Sequence, residues 1–317
     1  MRYLHYFVLF CFALLILIRT FAGMNTKTWC HIVAFVTVAI WGSTFVFTKL
    51  LLLNGLSPAQ IFTLRFVIAY VLLMAFSLVT KRMRWFCCSW KDELMMLALG
   101  ITGGSLYFLT ENEALNYTTT TNVSLIVCSC PLVAAMLIGF SYKSERMRLR
   151  QVTGTLMAVL GVAIVVLNGH FVLHLSPKGD VLALAANLCW AFYSLLMIPA
   201  NKHYGALFIT RKVFFYGLLT MTPYYIIVPE WPSVDVLMRP GVIGNLLFLG
   251  VVASMVCFLV WTWVMRKLGA VIATNYVYVN PVSTIIIAHL VLGEQITPFF
   301  LCGTLFILVG MYLADKK

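Results

Sequence analysis

PLVAAMLIGFSYKSERMRLRQVTGTLMAVLG at 131–161 and PVSTIIIAHLVLGEQITPFFLCGTLFILVG at 281–310 are two copies of one pattern. Each opens on a proline (Pro131, Pro281), turns at an acidic residue (Glu145, Glu294) and closes on two glycines (Gly154 and Gly161, Gly303 and Gly310). Glutamate to first glycine is nine residues in both copies, and glycine to glycine is seven. Only the step from proline to glutamate differs, fourteen against thirteen. Two hydrophobic spans hinged at an acidic turn have been duplicated, and such self-similarity fixes the architecture before any local reading.

Composition says what solvent these spans meet. Hydrophobic residues supply 62% of the 317 residues and charged residues 10%, with a mean hydropathy of +0.98, against about 45–50% apolar in soluble domains. The chain reads as a polytopic protein of the lipid bilayer. Its net charge of +12 is not a nucleic-acid footprint, because the basic residues sit in short clusters between apolar runs, where they act as orientation signals. The nine cysteines lie mostly inside apolar spans without a CxxC or paired histidines, so they are expected as reduced, small hydrophobes. No metal site and no cofactor is expected.

Apolar runs of spanning length are predicted at 31–50, 59–79, 94–115, 122–140 and 152–167, then at 181–198, 207–228, 242–265, 271–292 and 299–313. A bilayer core offers no water to unpaired backbone groups, so each run is predicted as a helix. Ahead of them, 3–18 is a shorter apolar run between Arg2 and Arg19. Residues 1–28 thus form a hydrophobic extension with three readings: a signal-like segment, an extra span, or an upstream start ahead of Met24. The third is favoured, because the runs after Met24 already make an even-numbered bundle.

Alternate loops carry the basic clusters: Arg19 and Lys27, then Lys81, Arg82, Arg84 and Lys91, then Lys143, Arg146, Arg148 and Arg150, then Lys202, Arg266 and Lys267, and Lys316 and Lys317. The opposite loops hold little beyond Lys178 and Arg239. Both ends of the ten-span bundle are therefore expected in the cytoplasm. With five spans per half, the repeats at 29–168 and 179–317 enter the membrane inverted, a topology typical of secondary transporters that hold their substrate between the halves. The predicted fold class is an all-α polytopic membrane protein of ten transmembrane helices in two inverted five-helix repeats. Weaker pairs keep the same order: Trp41 with Trp190, Phe62 and Arg65 with Phe208 and Arg211, Gly100 with Gly250.

Trp41-Gly42-Ser43-Thr44-Phe45, Arg65 after Pro58, Ala114-Leu115-Asn116-Tyr117-Thr118 and the twin proline, glutamate and glycine stretches resemble the EamA family of the drug/metabolite transporter superfamily from Met24 to Lys317. The resemblance implies ten helices around a central cavity and export of small metabolites, commonly amino acids or related compounds, across the cytoplasmic (inner) membrane.

Ionisable groups inside spans are costly and become functional candidates. Arg65 lies seven residues past Pro58, roughly 10 Å deep at about 1.5 Å per residue, and Glu111 roughly 8 Å deep from the same face. The two can meet. They form either a structural ion pair or a site in which the carboxylate binds an amine or a proton, which makes the proton a candidate coupling ion. Amides and aromatics complete the candidate substrate-binding set: Trp41, Thr44 and Tyr107; Asn122; Asn187, Trp190 and Tyr193; Trp261; Asn275 and Tyr278. Aromatic walls with a few amides suit a small amphipathic solute, whereas any one of these aromatics can equally be packing and any one amide interhelical glue.

Pro131 and Pro281 are expected to kink their spans and free a carbonyl, as hinges for alternating access. Glu145 and Glu294 precede helix starts and are expected as caps. The glycine pairs are expected to let helices approach closely. No GxSxG, HExxH or paired-carboxylate set is present, so an enzyme is not expected. A channel lacks a filter sequence, and the runner-up is a multidrug exporter for lipophilic cations.

Overall fold

The computed structural model describes residues 26–81, 84–117, 123, 126–143, 148–167, 176–292, 296 and 298–315. The hydrophobic extension at 1–25, Asn122, Glu145 and Glu294 lie outside the described residues. Every regular element described is helical. In the first half these are α1 (Thr26–Leu53), α2 (Pro58–Val79), α3 (Trp90–Gly100), α4 (Leu106–Tyr117), α5 (Cys130–Ser141) and α6 (Leu149–Leu167). The second half has α7 (Pro177–His203), α8 (Ala206–Leu219), α9 (Pro240–Leu247), α10 (Cys257–Leu268), α11 (Ala270–Asn275), α12 (Asn280–Leu292) and α13 (Pro298–Asp315).

Six of the described helical stretches are long and apolar enough to cross a membrane, and three shorter apolar ones accompany them. Their outward faces carry Phe76, Val79, Phe140, Leu156 and Leu305, a surface that suits lipid rather than water. Local signals fix the starts. Ser57 and Gln60 form a reciprocal box at the head of α2, with Gln60 N–H donating to Ser57 Oγ (3.3 Å) and Ser57 N–H to Gln60 Oε1 (2.9 Å), while Pro58 needs no partner there.

One expected span is divided. The run at 207–228 breaks after Leu219, and a short helix, Thr222–Ile227, follows. Thr220 Oγ1 donates back to Tyr216 O (2.8 Å) and Gly217 O (3.1 Å), and Pro223 has no N–H to continue the ladder.

Two irregularities were not legible as spans. α3 passes into α4 through a π-helical segment, Ile101–Ser105, and α9 into α10 through another, Phe248–Val256. The first begins just after Gly100 and the second contains the aligned Gly250, so the duplication extends to an irregularity of the backbone. Small residues there admit neighbours: a Cβ at Gly103 would lie 2.3 Å from the Tyr193 ring, and one at Gly250 would lie 2.8 Å from Ile68 Cβ.

The duplicated glycines meet one another. A Cβ at Gly154 would fall 2.6 Å from Gly310 O, one at Gly310 2.6 Å from Gly154 O, one at Gly161 2.7 Å from Gly303 O and one at Gly303 2.6 Å from Gly161 O. The order 154 with 310 and 161 with 303 means that α6 and α13 run antiparallel. Lipid gives apolar helices no hydrophobic reason to associate, so backbone approach at small residues supplies the contact.

Between the halves lies an aromatic core. Trp41 stands edge-on to Trp190 (centroids 5.5 Å), Phe258 (5.3 Å) and Trp261 (5.1 Å), and Phe66 contacts Phe214 at 4.5 Å. Each such pair adds about 0.5–1.5 kcal/mol beyond its buried area.

At the basic end, a polar network joins the halves. Glu93 of α3 accepts from Lys212 Nζ and Tyr216 OH of α8 and from Cys87 N–H (3.0 Å). Tyr204 OH donates to Asp92 Oδ2 (2.7 Å) and accepts from Cys88 N–H (2.8 Å). The adjacent thiols diverge. Arg84 Nη2 lies 2.7 Å from the exposed Cys88 Sγ and, with Tyr204, holds that thiol below its usual range, whereas burial and Glu93 push Cys87 up to about 12. Near pH 7 iodoacetamide is therefore expected to alkylate Cys88 more than about tenfold faster than Cys87, since thiolate fraction changes tenfold per pH unit of separation. Peptide mass spectrometry reads this. Arg84→Gln should slow Cys88, and equal rates at the two thiols would contradict the assignment.

Candidate functional site

Four residues of α1 place one helix face toward the seam between the halves: Trp41, Thr44, Phe45 and Thr48 fall at helical spacing and line one cavity. From α2 comes Arg65; from α4, Tyr107, Phe108, Glu111 and Asn112. The second half supplies Trp190, Phe258, Val277 and Asn280, and α5 with its approach supplies Val127 and Cys130. The cavity holds about 60 Å³, room for several waters at roughly 10–15 Å³ of this measure each.

The charged pair is arranged in an informative way. Arg65 is 4% exposed and Glu111 6%, yet no ion pair joins them among the described residues. Arg65 donates from Nε to Ser254 Oγ (2.9 Å), a residue of the second π segment, and its guanidinium stands 4.7 Å over the Phe108 ring. Glu111 accepts from Tyr107 OH (2.7 Å), one turn back on α4. The terminal nitrogens of Arg65 and Glu111 Oε2 carry no hydrogen bond among the described residues. The expected meeting of the two groups is therefore a sharing of one cavity, each charge held by its own neighbours. Two further wall atoms, Trp190 Nε1 and Asn280 Oδ1, are buried without a partner among the described residues. Trp41 is fixed instead, its Nε1 donating to Ala253 O (2.9 Å).

Of the residues singled out from sequence, Trp41, Thr44, Arg65, Tyr107, Glu111 and Trp190 come together on this wall. Others lie behind it. Asn187 donates to Ile126 O and to Ser129 Oγ (2.7 Å) and so ties α7 to the start of α5. Tyr193 and Trp261 are fully buried, one against Gly103 and the other against Trp41. Asn275 ends α11, and Tyr278 lies in the 3-10 turn that follows, within a separate cluster around Val162 and Ile307.

The two prolines lie inside the helical stretches Ile126–Ser141 and Ala270–Ile287, each beside an irregularity of the helix. Each is the second residue of a helix that restarts after a break, Pro131 in α5 after a turn at Ser129 and Pro281 in α12 after the 3-10 turn Tyr276–Val279. A missing N–H is harmless at that position. The residues just before them, Cys130 and Asn280, both line the cavity.

Sequence reasoning did not single out Phe45, Thr48, Phe108, Asn112, Phe258, Val127, Cys130 or Val277 as binding residues. The helical spacing from Trp41 would have found the first two, and adjacency to Glu111 would have found Asn112. Among the described residues no group of three or more histidine, cysteine or acidic side chains could hold a metal ion.

The sequence profile of the EamA-like transporter family matches residues 28–167 and again 177–314. A protein of Archaeoglobus fulgidus, named only as an uncharacterized transporter, is 26% identical over 93% of this chain and 99% of its own length. A protein of Salmonella typhimurium named "Probable amino-acid metabolite efflux pump" is 25% identical over 88% of this chain and 92% of its own. A solved crystal structure superposes with a TM-score of 0.70 at 18% identity, over 91% of this chain and 98% of that one.

Proposed function

Because the chain belongs to the EamA-like transporter family and is thus a multi-pass membrane protein of transporters rather than enzymes, we propose that it exports a small zwitterionic amphipath of the amino-acid class. One observation carries this reading: Arg65 and Glu111 are buried in the same aromatic cavity without pairing with each other. A buried charge without a paired counter-charge is costly. An α-carboxylate against Arg65 and an α-ammonium against Glu111 would relieve both, while the substrate side chain packs on Trp41, Phe108 and Phe258. The amino-acid efflux named for the Salmonella relative supports the same class.

The pathway lies between two inverted five-helix repeats, ten spans in all, and works by alternating access. The antiparallel glycine contact of α6 with α13 and the matched π segments support this arrangement. The cavity of about 60 Å³ is too small for an amino acid, so the walls must move, and the restarts at Pro131 and Pro281 are the hinges. Both ends of the bundle face the cytoplasm and the chain resides in the inner (cytoplasmic) membrane, a reading that the basic loops support. Glu111 also offers a proton site for coupling.

The test is an export panel in cells expressing the chain, with amino acids beside lipophilic cationic dyes. Amino-acid efflux is expected, and Arg65→Lys should weaken it, because a point charge replaces a planar fork suited to carboxylate. Resistance to dyes without amino-acid efflux would favour the multidrug alternative, against which Arg65 already stands as a buried cation in the same cavity.

A further inference from the structure

A second cavity, of about 190 Å³, opens at the basic end of the bundle and is walled by Met197, Asn201, Lys202, Met265, Arg266 and Ala270. The helices that wall it also wall the first. On α7, Trp190 belongs to one cavity and Met197 to the other; on α10, the corresponding pair is Phe258 and Met265. Each pair is seven residues apart (197−190, 265−258), roughly 10 Å along a helix. Tyr193, Trp261 and Thr274 fill the interval and are fully buried, so an aromatic septum about two turns thick separates the cavities.

The polar atoms around this septum are unusual. Asn201 is 8% exposed, and its Oδ1 has no hydrogen-bond partner among the described residues. Asn275 Oδ1 beside the septum and Asn280 Oδ1 at the first cavity are buried and, among the described residues, likewise unpartnered. Buried amide oxygens are nearly always satisfied, so three of them at successive levels point to a donor that visits. At the mouth of the second cavity, Lys202 and Arg266 are exposed, and together they attract an anion.

Resting on the exporter reading, we propose that the second cavity is the loading subsite for the same zwitterion. The ammonium donates to Asn201 Oδ1 and the carboxylate faces Lys202 and Arg266. The substrate then passes Asn275 to reach Asn280 and Glu111.

The experiment uses the full chain reconstituted in liposomes. Asn201→Cys is exposed from the basic face to an anionic sulfonate methanethiosulfonate and, separately, to its cationic aminoethyl counterpart, and modification at that position is read by mass spectrometry. The anionic reagent is expected to react at least fivefold faster, the preference should vanish in Lys202→Gln with Arg266→Gln, and millimolar L-phenylalanine should slow modification about threefold. Equal rates for the two reagents, or no protection by L-phenylalanine, overturn the subsite. Transport of radiolabelled L-phenylalanine by Asn201→Ala keeps the two readings apart. A KM raised about tenfold from the basic face alone supports the subsite, whereas an equal change from both faces, or none, overturns it. A parent chain that moves no amino acid while Asn201→Cys is still protected would instead overturn the exporter reading and support binding at the second cavity.

Discussion

Glu111→Gln is expected to reduce amino-acid export by roughly thirtyfold to a few thousandfold. Removing one partner of a buried charge pair costs about 2–5 kcal/mol, at 1.4 kcal/mol per tenfold. The lost interaction is the one with the substrate ammonium, because the glutamine carbonyl still accepts from Tyr107 OH, which now lies 2.7 Å from Glu111 Oε1. Fold and expression should therefore be preserved, and the change should appear in transport at an unchanged melting temperature. Tyr107→Phe is a milder companion: it frees Glu111 to turn away from the substrate while leaving its charge. Full export by Glu111→Gln would reduce that carboxylate to scaffolding.

Gly310→Leu is expected to be the most damaging single change to the fold. The first added carbon would lie 2.5 Å from Ala158 N and 2.6 Å from Gly154 O, both backbone atoms that no side-chain rotation can move. α6 and α13 must part along their length, which forfeits the reciprocal contact at Gly161 and Gly303 as well. Overpacking of this kind costs about 1–3 kcal/mol and sometimes more, and here the seam has no hydrophobic drive to reclose it. The readout is the yield of monodisperse protein in detergent and its melting temperature, both of which should fall steeply. Gly205→Ala, with nothing within 4 Å of its Cβ, should change neither. Because Gly154 shares the contact, the effects of Gly154→Ala and Gly310→Leu should fall short of additive.

The duplicated glycines show how much of this fold could be read from residues alone. Their spacing marked both copies, and the structure turns that repetition into a physical contact. Helix positions were legible because long apolar runs have few alternatives in lipid. The break after Leu219 was not, since Thr220 acts through its side chain on backbone atoms that a hydropathy pattern ignores. The π segments left only a trace, as small residues in matched places.

The site was half legible for a related reason. Spans that are apolar all round carry no amphipathic stripe to say which side faces the interior. Arg65 and Glu111 stood out because charge in a span is expensive, and both line the cavity. Asn187, Tyr193 and Trp261 carried the same chemical signal as Trp41 and Trp190 but lie behind the wall. Phe258 carried no signal beyond being apolar, although it lines the cavity.

The central claim, that two copies of one unit inserted in opposite directions enclose the pathway, is tested most directly by sided labelling at matching ends. Asn54→Cys follows the first helix of one half, and His203→Cys closes the first helix of the other. A membrane-impermeant maleimide applied from one face, with each position read by mass spectrometry, should reach Asn54→Cys only from the face opposite the basic loops and His203→Cys only from the basic face. Labelling of both positions from the same face would contradict the inversion, and with it the shared cavity.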